Sequence, residues 1–380
     1  MSKTNAHANE IALVHDYLTQ RGGAERVVLA MTRAFPRAPL FTSLYDPAGT
    51  FPEFGSLDVR AGSLNRVPYL RREHRAALPL LARSFSSTVI DADVTLCSSS
   101  GWAHGVVSTG RKVVYCHTPA RWLYQTDRYL GASDSRRSPG RAAKSLALTA
   151  LRRHLETWDR IAAASADRYL VPSTESADAV RRLYGIEAEV LAPPPAIDAE
   201  GPRCAMPGLE PGYWLSVSRL LPYKNIDVVI EAVRSRSDER LVVVGDGPDR
   251  RRLEALAGRE TTFLRALNDA QLRWCYAHSK ALLTASYEDF GLTPLEAAAF
   301  GSPTVAPRIG GFIDTIIDGR TGVFFERPEA ALLVEAMDRV DTTEWSKKLI
   351  SEHAVSFSEP RFAARLREVV AEEAGKRTAG

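Results

Sequence analysis

The 380-residue chain carries only four cysteines, Cys97, Cys116, Cys204 and Cys275, with no C-x-x-C pair and no Cys/His ligand spacing. That excludes a zinc site or a disulfide framework as the organising device, and the usage fits a reducing cytoplasm. An excess of one charge is also missing. The 49 basic residues against 46 acidic ones leave a formal +3, too little for a dedicated nucleic-acid binder. No run approaches the roughly 18 apolar residues that cross a bilayer, and the first ten residues hold no apolar signal-peptide core. These absences predict a protein that is neither secreted nor membrane-spanning. The dinucleotide fingerprint G-x-G-x-x-G is absent too, since Gly22-Gly23-Ala24-Glu25 does not match it.

What is present is ordinary in bulk and informative in order. With 45% hydrophobic and 25% charged residues the chain reads as globular, and its length suits two domains of about 190 residues each. Short apolar runs bounded by turn residues recur as strands: Ile11–His15, Asp93–Cys97, Lys112–Tyr115, Arg168–Val171, Tyr213–Val217, Leu241–Val244 and Lys280–Ser286. Helical patterns lie between them, from Ala24 to Phe35, which stops at Pro36, and from Ile226 to Val233. This alternation predicts an α/β chain of two doubly wound parallel-sheet domains. The triple proline at 193–195 and the Gly- and Pro-rich stretch at 198–212 predict a linker, bounding domains at 1–195 and 210–357. In such sheets ligands bind beyond the carboxyl ends of the strands, so a cleft between the domains is the expected site.

Chemistry concentrates in a few loops. Glu288-Asp289-Phe290-Gly291-Leu292-Thr293-Pro294-Leu295-Glu296 joins a strand to a helix whose strong formers run over 295–300, with Thr293 as cap, Pro294 at its first position and Glu296 in its first turn. The N–H groups of Phe290, Gly291 and Leu292 can hold an anion there, with the hydroxyls of a ligand left to the two glutamates. A helix-start acid and a solvated loop acid explain the same pair blandly. Ser218-Arg219, followed by Lys224, places two cations in a loop after a strand, suited to a diphosphate, and Gly22-Gly23 lets backbone approach a ligand closely. His117, in Tyr115-Cys-His117-Thr-Pro119, follows another strand; position alone favours a structural histidine.

Taken together these segments resemble the retaining GT-B glycosyltransferases of glycosyltransferase family 4, in particular a mannosyltransferase-like branch. The resemblance spans nearly the whole chain and is carried by the E-x7-E segment at Glu288 and Glu296, the Ser218-Arg219…Lys224 loop, the Gly22-Gly23-Ala24-Glu25 start and the Tyr115–Pro119 stretch. It implies the GT-B fold, two Rossmann-like domains facing a cleft, with the first binding the acceptor and the second the donor. A last helix at about 358–376 then packs back on the first domain. It implies that Arg219 and Lys224 stabilise the leaving nucleoside diphosphate, Glu288 holds sugar hydroxyls, Glu296 binds the ribose and His117 contacts the transferred sugar. Gly22, Gly23, Ser218, Gly245, Leu267, Phe290, Gly291 and Leu292 would line the donor, Leu267 through its backbone. The Asp91-Ala92-Asp93 match to a metal-binding D-x-D reads instead as a helix-to-strand turn. No cofactor and no metal are expected, because the cations and the helix dipole take the diphosphate's charge.

The implied reaction moves a hexose, preferably mannose from GDP-mannose, to a hydroxyl of a saccharide, lipid-linked or small-molecule acceptor. The alternatives are a UDP-linked sugar donor, a sugar-nucleotide 2-epimerase, or a non-catalytic partner of another glycosyltransferase. Arg66, Arg71, Arg72, Arg75 and Arg83, interleaved with Leu70, Leu78, Leu80, Leu81 and Phe85, and a second basic stretch from Arg136 to Arg153, suit contact with anionic lipid. The expected location is the cytoplasm, with peripheral contact at the inner face of the membrane; no nucleic-acid partner is expected.

Overall fold

The computed structural model describes residues 11–124 and 141–378. The chain divides into two compact units, one formed by 1–193 together with 359–380, the other by 194–358.

The first unit is built on a seven-stranded, wholly parallel sheet. Its order is Val59–Ala61, Leu40–Thr42, Ile11–His15, Val94–Ser99, Arg111–Cys116, Arg168–Val171 and Glu189–Val190. Both faces are covered, which is why the strands read as continuous apolar runs rather than alternating ones. Side-chain alternation then sorts the core. Leu13, Leu96, Val113 and Leu170 pack with Val27 and Met31 of the helix Gly23–Ala34 and with Phe362, Leu366 and Val369 of the helix Glu359–Thr378. On the other face Val14, Cys97, Val114 and Tyr169 pack with Leu81, Phe85, Leu155 and Val180. The helix Glu359–Thr378 is further tied to the sheet by Arg111 to Glu373 at 2.7 Å and Arg365 to Glu189 at 2.8 Å.

The second unit has a six-stranded parallel sheet in the order Thr261–Leu264, Leu241–Val244, Tyr213–Val217, Ser279–Leu283, Thr304–Pro307 and Gly322–Phe325. Chain order reverses direction between Tyr213–Val217 and Ser279–Leu283, which gives the Rossmann order and a switch point between those strands. In the first unit the reversal falls between Ile11–His15 and Val94–Ser99. The stretch 194–212 runs over the second unit: Arg273 donates to the Asp198 carbonyl at 2.6 Å, and Cys204 N–H to the Ala270 carbonyl at 3.0 Å. The Asp91–Asp93 turn follows the short strand Val89–Ile90 rather than a helix, because the helix His74–Ser86 ends three residues earlier. Asp91 accepts there from the Thr109 hydroxyl at 2.7 Å.

Among the described residues no helix is long and apolar enough to cross a membrane. The apolar side of the first basic stretch turns inward. Leu81 and Phe85 are buried and Leu78 packs on the same core, leaving Leu80, Tyr69 and Val67 exposed beside Arg66, Arg72 and Arg83. The second basic stretch begins, from Arg136, outside the described residues and continues into the helix Arg141–Ala164.

Candidate functional site

In the second unit, the loops that leave the two strands at the switch point carry most of the singled-out residues. After Val217 the chain enters Ser218–Lys224, with a short 3-10 turn at Pro222–Lys224, and Asn225 adopts a left-handed conformation (φ 51°). The Asn225 side chain donates to the Ala285 carbonyl at 2.8 Å, pinning this loop to the one after Ser279–Leu283. Lys224 thereby reaches Glu288 and forms an ion pair with it, while the Ser286 hydroxyl donates to the same carboxylate oxygen at 2.7 Å. Arg219 is exposed and has no ion-pair or hydrogen-bond partner for its guanidinium among the described residues. The Ser218 hydroxyl is buried without a hydrogen-bond partner in the same set.

Gly245 holds the Ser218 loop in place: with φ at +149°, a Cβ there would lie 1.8 Å from the Ser218 carbonyl oxygen. Only glycine permits that approach. Leu267 sits beyond the edge strand Thr261–Leu264, half-buried on the core and next to Ala266, whose φ is +52°.

The helix after Glu288 begins earlier than the Thr293-Pro294 pair suggests. It spans Leu292–Ala299, capped by Gly291 at φ +86° and not by Thr293. A Cβ on Gly291 would fall 2.6 Å from the Phe312 ring, so the left-handed glycine starts the helix as soon as the chain clears that ring. Proline is tolerated throughout the first turn, whose N–H groups have no helical partner, so Pro294 does not mark the first position. The N–H groups of Phe290 and Gly291 have no hydrogen-bond partner among the described residues, which suits an anion.

The shift moves Glu296 out of the first turn. Its carboxylate is buried and accepts from the Tyr276 hydroxyl at 2.6 Å; burial and then this carboxylate push the Tyr276 phenol well above its ordinary value. Neither Tyr276 nor the Ile309-Gly310-Gly311 turn, whose Gly311 N–H donates to the Glu288 carbonyl at 2.9 Å, is among the residues singled out from sequence.

In the first unit the switch point gathers a buried polar cluster. Gly22 caps the helix Gly23–Ala34 in an extended conformation, and the space above it belongs to Glu25, whose Oε2 would lie 2.6 Å from a Cβ on Gly22. The Glu25 carboxylate accepts from Gln20 at 3.1 Å and lies 3.9 Å from His15 Nε2. His15 Nδ1 is 3.1 Å from the Ser98 carbonyl and 3.0 Å from the Ser98 hydroxyl. The same hydroxyl is 2.8 Å from Nε2 of His117, which follows strand Arg111–Cys116 and is partly exposed.

Burial, and then the charge of His15, lower the His117 imidazole to about 3. Burial also opposes charge on His15, but Glu25, Asp16 and the Ser98 carbonyl outweigh it and the value rises. Asp16 accepts from the N–H groups of Ser100 and Ala103, both at 2.6 Å, and shapes the Ser98–Ser100 turn. His104 Nδ1 is hydrogen-bonded to the Ser99 hydroxyl at 2.8 Å, and its Nε2 lies 3.0 Å from Asp159 Oδ1 of the helix Arg141–Ala164 without the alignment of a hydrogen bond. His15 and Asp16 escape the sequence reading, although two polar residues ending an apolar strand just before Gly22-Gly23 mark the carboxyl end of the first βα unit.

Two family models match the chain, that of Glycosyltransferase Family 4 over residues 21–201 and that of Glycosyl transferases group 1 over residues 208–354. A GDP-mannose-dependent alpha-mannosyltransferase of Mycolicibacterium smegmatis is 28% identical over 86% of this chain and 82% of its own length. A glycogen synthase of Thermus thermophilus is 38% identical over 33% of this chain. The match reaches only 31% of that protein, so the chain spans about a third of the glycogen synthases it resembles. Among solved structures, the Anabaena protein HepE in complex with UDP-glucose superposes with a TM-score of 0.64 at 17% identity, covering 95% of this chain and 99% of that one. The likeness shows the fold, GT-B, with its two Rossmann-like domains.

Proposed function

We propose, for a chain that belongs to glycosyltransferase family 4 and group 1, that it is a retaining hexosyltransferase moving mannose from GDP-mannose to a hydroxyl of a saccharide, lipid-linked or small-molecule acceptor. The observation that carries this reading is the convergence of Lys224, Glu288 and the free N–H groups of Phe290 and Gly291 at the carboxyl ends of the two switch-point strands, with Arg219 in the same loop as Lys224. That combination offers cations and amides to a diphosphate and a carboxylate to sugar hydroxyls, a layout that stabilises charge where it develops in the transition state. A relative that matches 86% of the chain's length, the GDP-mannose-dependent alpha-mannosyltransferase, supports mannose and GDP.

In the proposed reaction the diphosphate leaves toward Arg219, Lys224 and the start of the helix Leu292–Ala299. Glu288 holds sugar hydroxyls as positive charge grows on the ring, Glu296 receives the ribose hydroxyls and His117 contacts the transferred sugar. Gly22, Gly23, Ser218, Gly245, Leu267 and Leu292 complete the donor surface. No metal is needed in this scheme, so excess EDTA leaves turnover unchanged. A second reading, a UDP-linked sugar donor, is favoured by the similarity to HepE, solved with UDP-glucose.

Thermal-shift measurements with GDP and UDP, followed by product analysis with the corresponding sugar donors and an acceptor, decide between them. Stabilisation by GDP and mannose transfer are expected. Stabilisation by UDP alone overturns the donor assignment, and donor-only conversion to an epimerised sugar overturns the transferase.

A further inference from the structure

The hydroxyl of Ser98 stands between two imidazoles, and the donors and acceptors around it admit one proton arrangement. His15 Nδ1 lies 3.1 Å from the Ser98 carbonyl oxygen, which can only accept, so Nδ1 of His15 carries a hydrogen. That hydrogen also points at the Ser98 hydroxyl, 3.0 Å away, which therefore accepts from His15. The hydroxyl has a single hydrogen left to donate, and within the described residues its one remaining neighbour is His117 Nε2 at 2.8 Å. If Nε2 were protonated, the buried hydroxyl would face two donors and its own hydrogen would have no acceptor, which buried groups avoid. Nε2 of His117 is thus the acceptor, and the ring's one hydrogen lies on Nδ1.

We infer that Ser98 and His15 are positioning residues that lock His117 as the neutral Nδ1–H tautomer, so that His117 meets the transferred sugar as a hydrogen-bond donor and neither as a cation nor as a base. The inference rests on the reading that His117 contacts the sugar. Glu25 completes the chain behind it: its carboxylate, 3.9 Å from His15 Nε2, favours a second proton on His15 and so strengthens His15 as a donor to Ser98. The backbone holds the ring from its other side, with His117 N–H donating to the Ser99 carbonyl at 2.9 Å and the Tyr115 ring lying edge-on at 5.1 Å. His117 Nδ1 has no partner among the described residues and is the atom left to reach a ligand. A sugar hydroxyl oxygen is the chemistry that fits an N–H of this kind.

The test uses the full-length protein labelled with 15N-histidine and two-bond 1H–15N correlation at about pH 7, a pH at which an ordinary histidine is largely neutral. His117 is expected to show a bare Nε2 and a protonated Nδ1. A protonated Nε2 or an imidazolium signal overturns the proposal whatever the activity shows. In Ser98→Ala the Nε2–H tautomer should appear and kcat should fall about tenfold, the worth of one neutral hydrogen bond, with donor KM changed far less. Ser98→Thr, which keeps the hydroxyl, should restore both the tautomer and kcat, and a Ser98→Ala protein with wild-type tautomer and kcat would refute the role. His117→Ala checks the underlying reading separately: unchanged kcat/KM there would reject the sugar contact while leaving the tautomer result standing.

Discussion

Lys224 and Glu288 form an ion pair across adjacent strands, so the residue proposed to grip the diphosphate is held by the residue proposed to grip the sugar. Both side chains are largely withdrawn from solvent, with 11% and 21% of their surface exposed, so their coupling is less screened than that of a surface pair. Binding of a diphosphate at Lys224 and of a sugar at Glu288 must therefore be linked. Glu288→Gln is expected to lower kcat about a hundredfold, the scale of losing one preorganised transition-state contact. Lys224→Met should lower kcat/KM by a comparable factor, and the double variant should lose much less than the product of the two. A double-mutant cycle on kcat/KM should give a coupling of about 1–3 kcal/mol. Additive losses would show that the pair does not operate as a unit.

Glu296 and Tyr276 supply a second, structural coupling. Glu296→Ala removes the carboxylate proposed for the ribose and also strands the Tyr276 hydroxyl in a buried position, so two effects should appear together. Donor KM should rise, and stability should drop by about 1–3 kcal/mol, the cost of an unsatisfied buried polar group. Glu296→Gln retains an acceptor for Tyr276 and should keep most of the stability while still weakening donor binding. Urea unfolding and donor KM measured on both variants separate the two effects. Equal stability of the alanine and glutamine variants would contradict the buried contact.

These two pairs also show where sequence reasoning stops. The strands Ile11–His15, Arg168–Val171, Tyr213–Val217 and Leu241–Val244 lie at the bounds their apolar runs predict, because strands covered on both faces announce themselves by composition alone. The residue types of the loops proposed to hold the donor are legible for the same local reason, as cations, glycines and acids just past strand ends. Pairing is not local. Lys224 finds Glu288 across a sequence separation of 64 because the sheet reverses direction between their strands, and Glu296 finds Tyr276 because both lie on elements flanking Ser279–Leu283. The start of the helix Leu292–Ala299 is misread because Thr293-Pro294 imitates a cap, while the deciding feature, the Phe312 ring against Gly291, comes from a later segment.

Acid sensitivity follows from His117. In the folded chain its ring stays neutral down to about 3, whereas an unfolded chain protonates histidine near 6.5. Between those values the unfolded chain binds more protons, so stability falls as pH falls, by at most about 1.4 kcal/mol per pH unit from this group. The contribution is fully present above the unfolded value and is lost progressively toward the folded one. His15 works in the opposite sense. Its raised folded-state value stabilises the protein at low pH, and that gain is lost as pH rises through the raised value. His117→Gln, which keeps an acceptor for Ser98, should therefore flatten the decline in urea midpoint between about pH 6 and pH 4. Identical slopes for variant and wild type would remove His117 as a source of acid sensitivity.

Membrane contact by the first unit would depend on charge more than on apolar area. Leu81 and Phe85 belong to the core, so the surface offers only Val67, Tyr69 and Leu80, exposed by 45%, 64% and 47%. Arg66, Arg72 and Arg83 are exposed beside them and have no ion-pair partners among the described residues, leaving their charge available to an acidic surface. Each such residue contributes about 1 kcal/mol near anionic lipid, and that attraction is screened by salt. Flotation with vesicles containing phosphatidylserine should recover the protein at low salt and release it at high salt, while neutral vesicles should recover little. Replacing Arg72 and Arg83 together with glutamine should weaken anionic binding by roughly 2 kcal/mol, about thirtyfold, without changing turnover on a soluble acceptor. Recovery that ignores lipid charge would assign any contact to the three apolar side chains, and three such residues bury too little surface to hold a chain of this size at an interface.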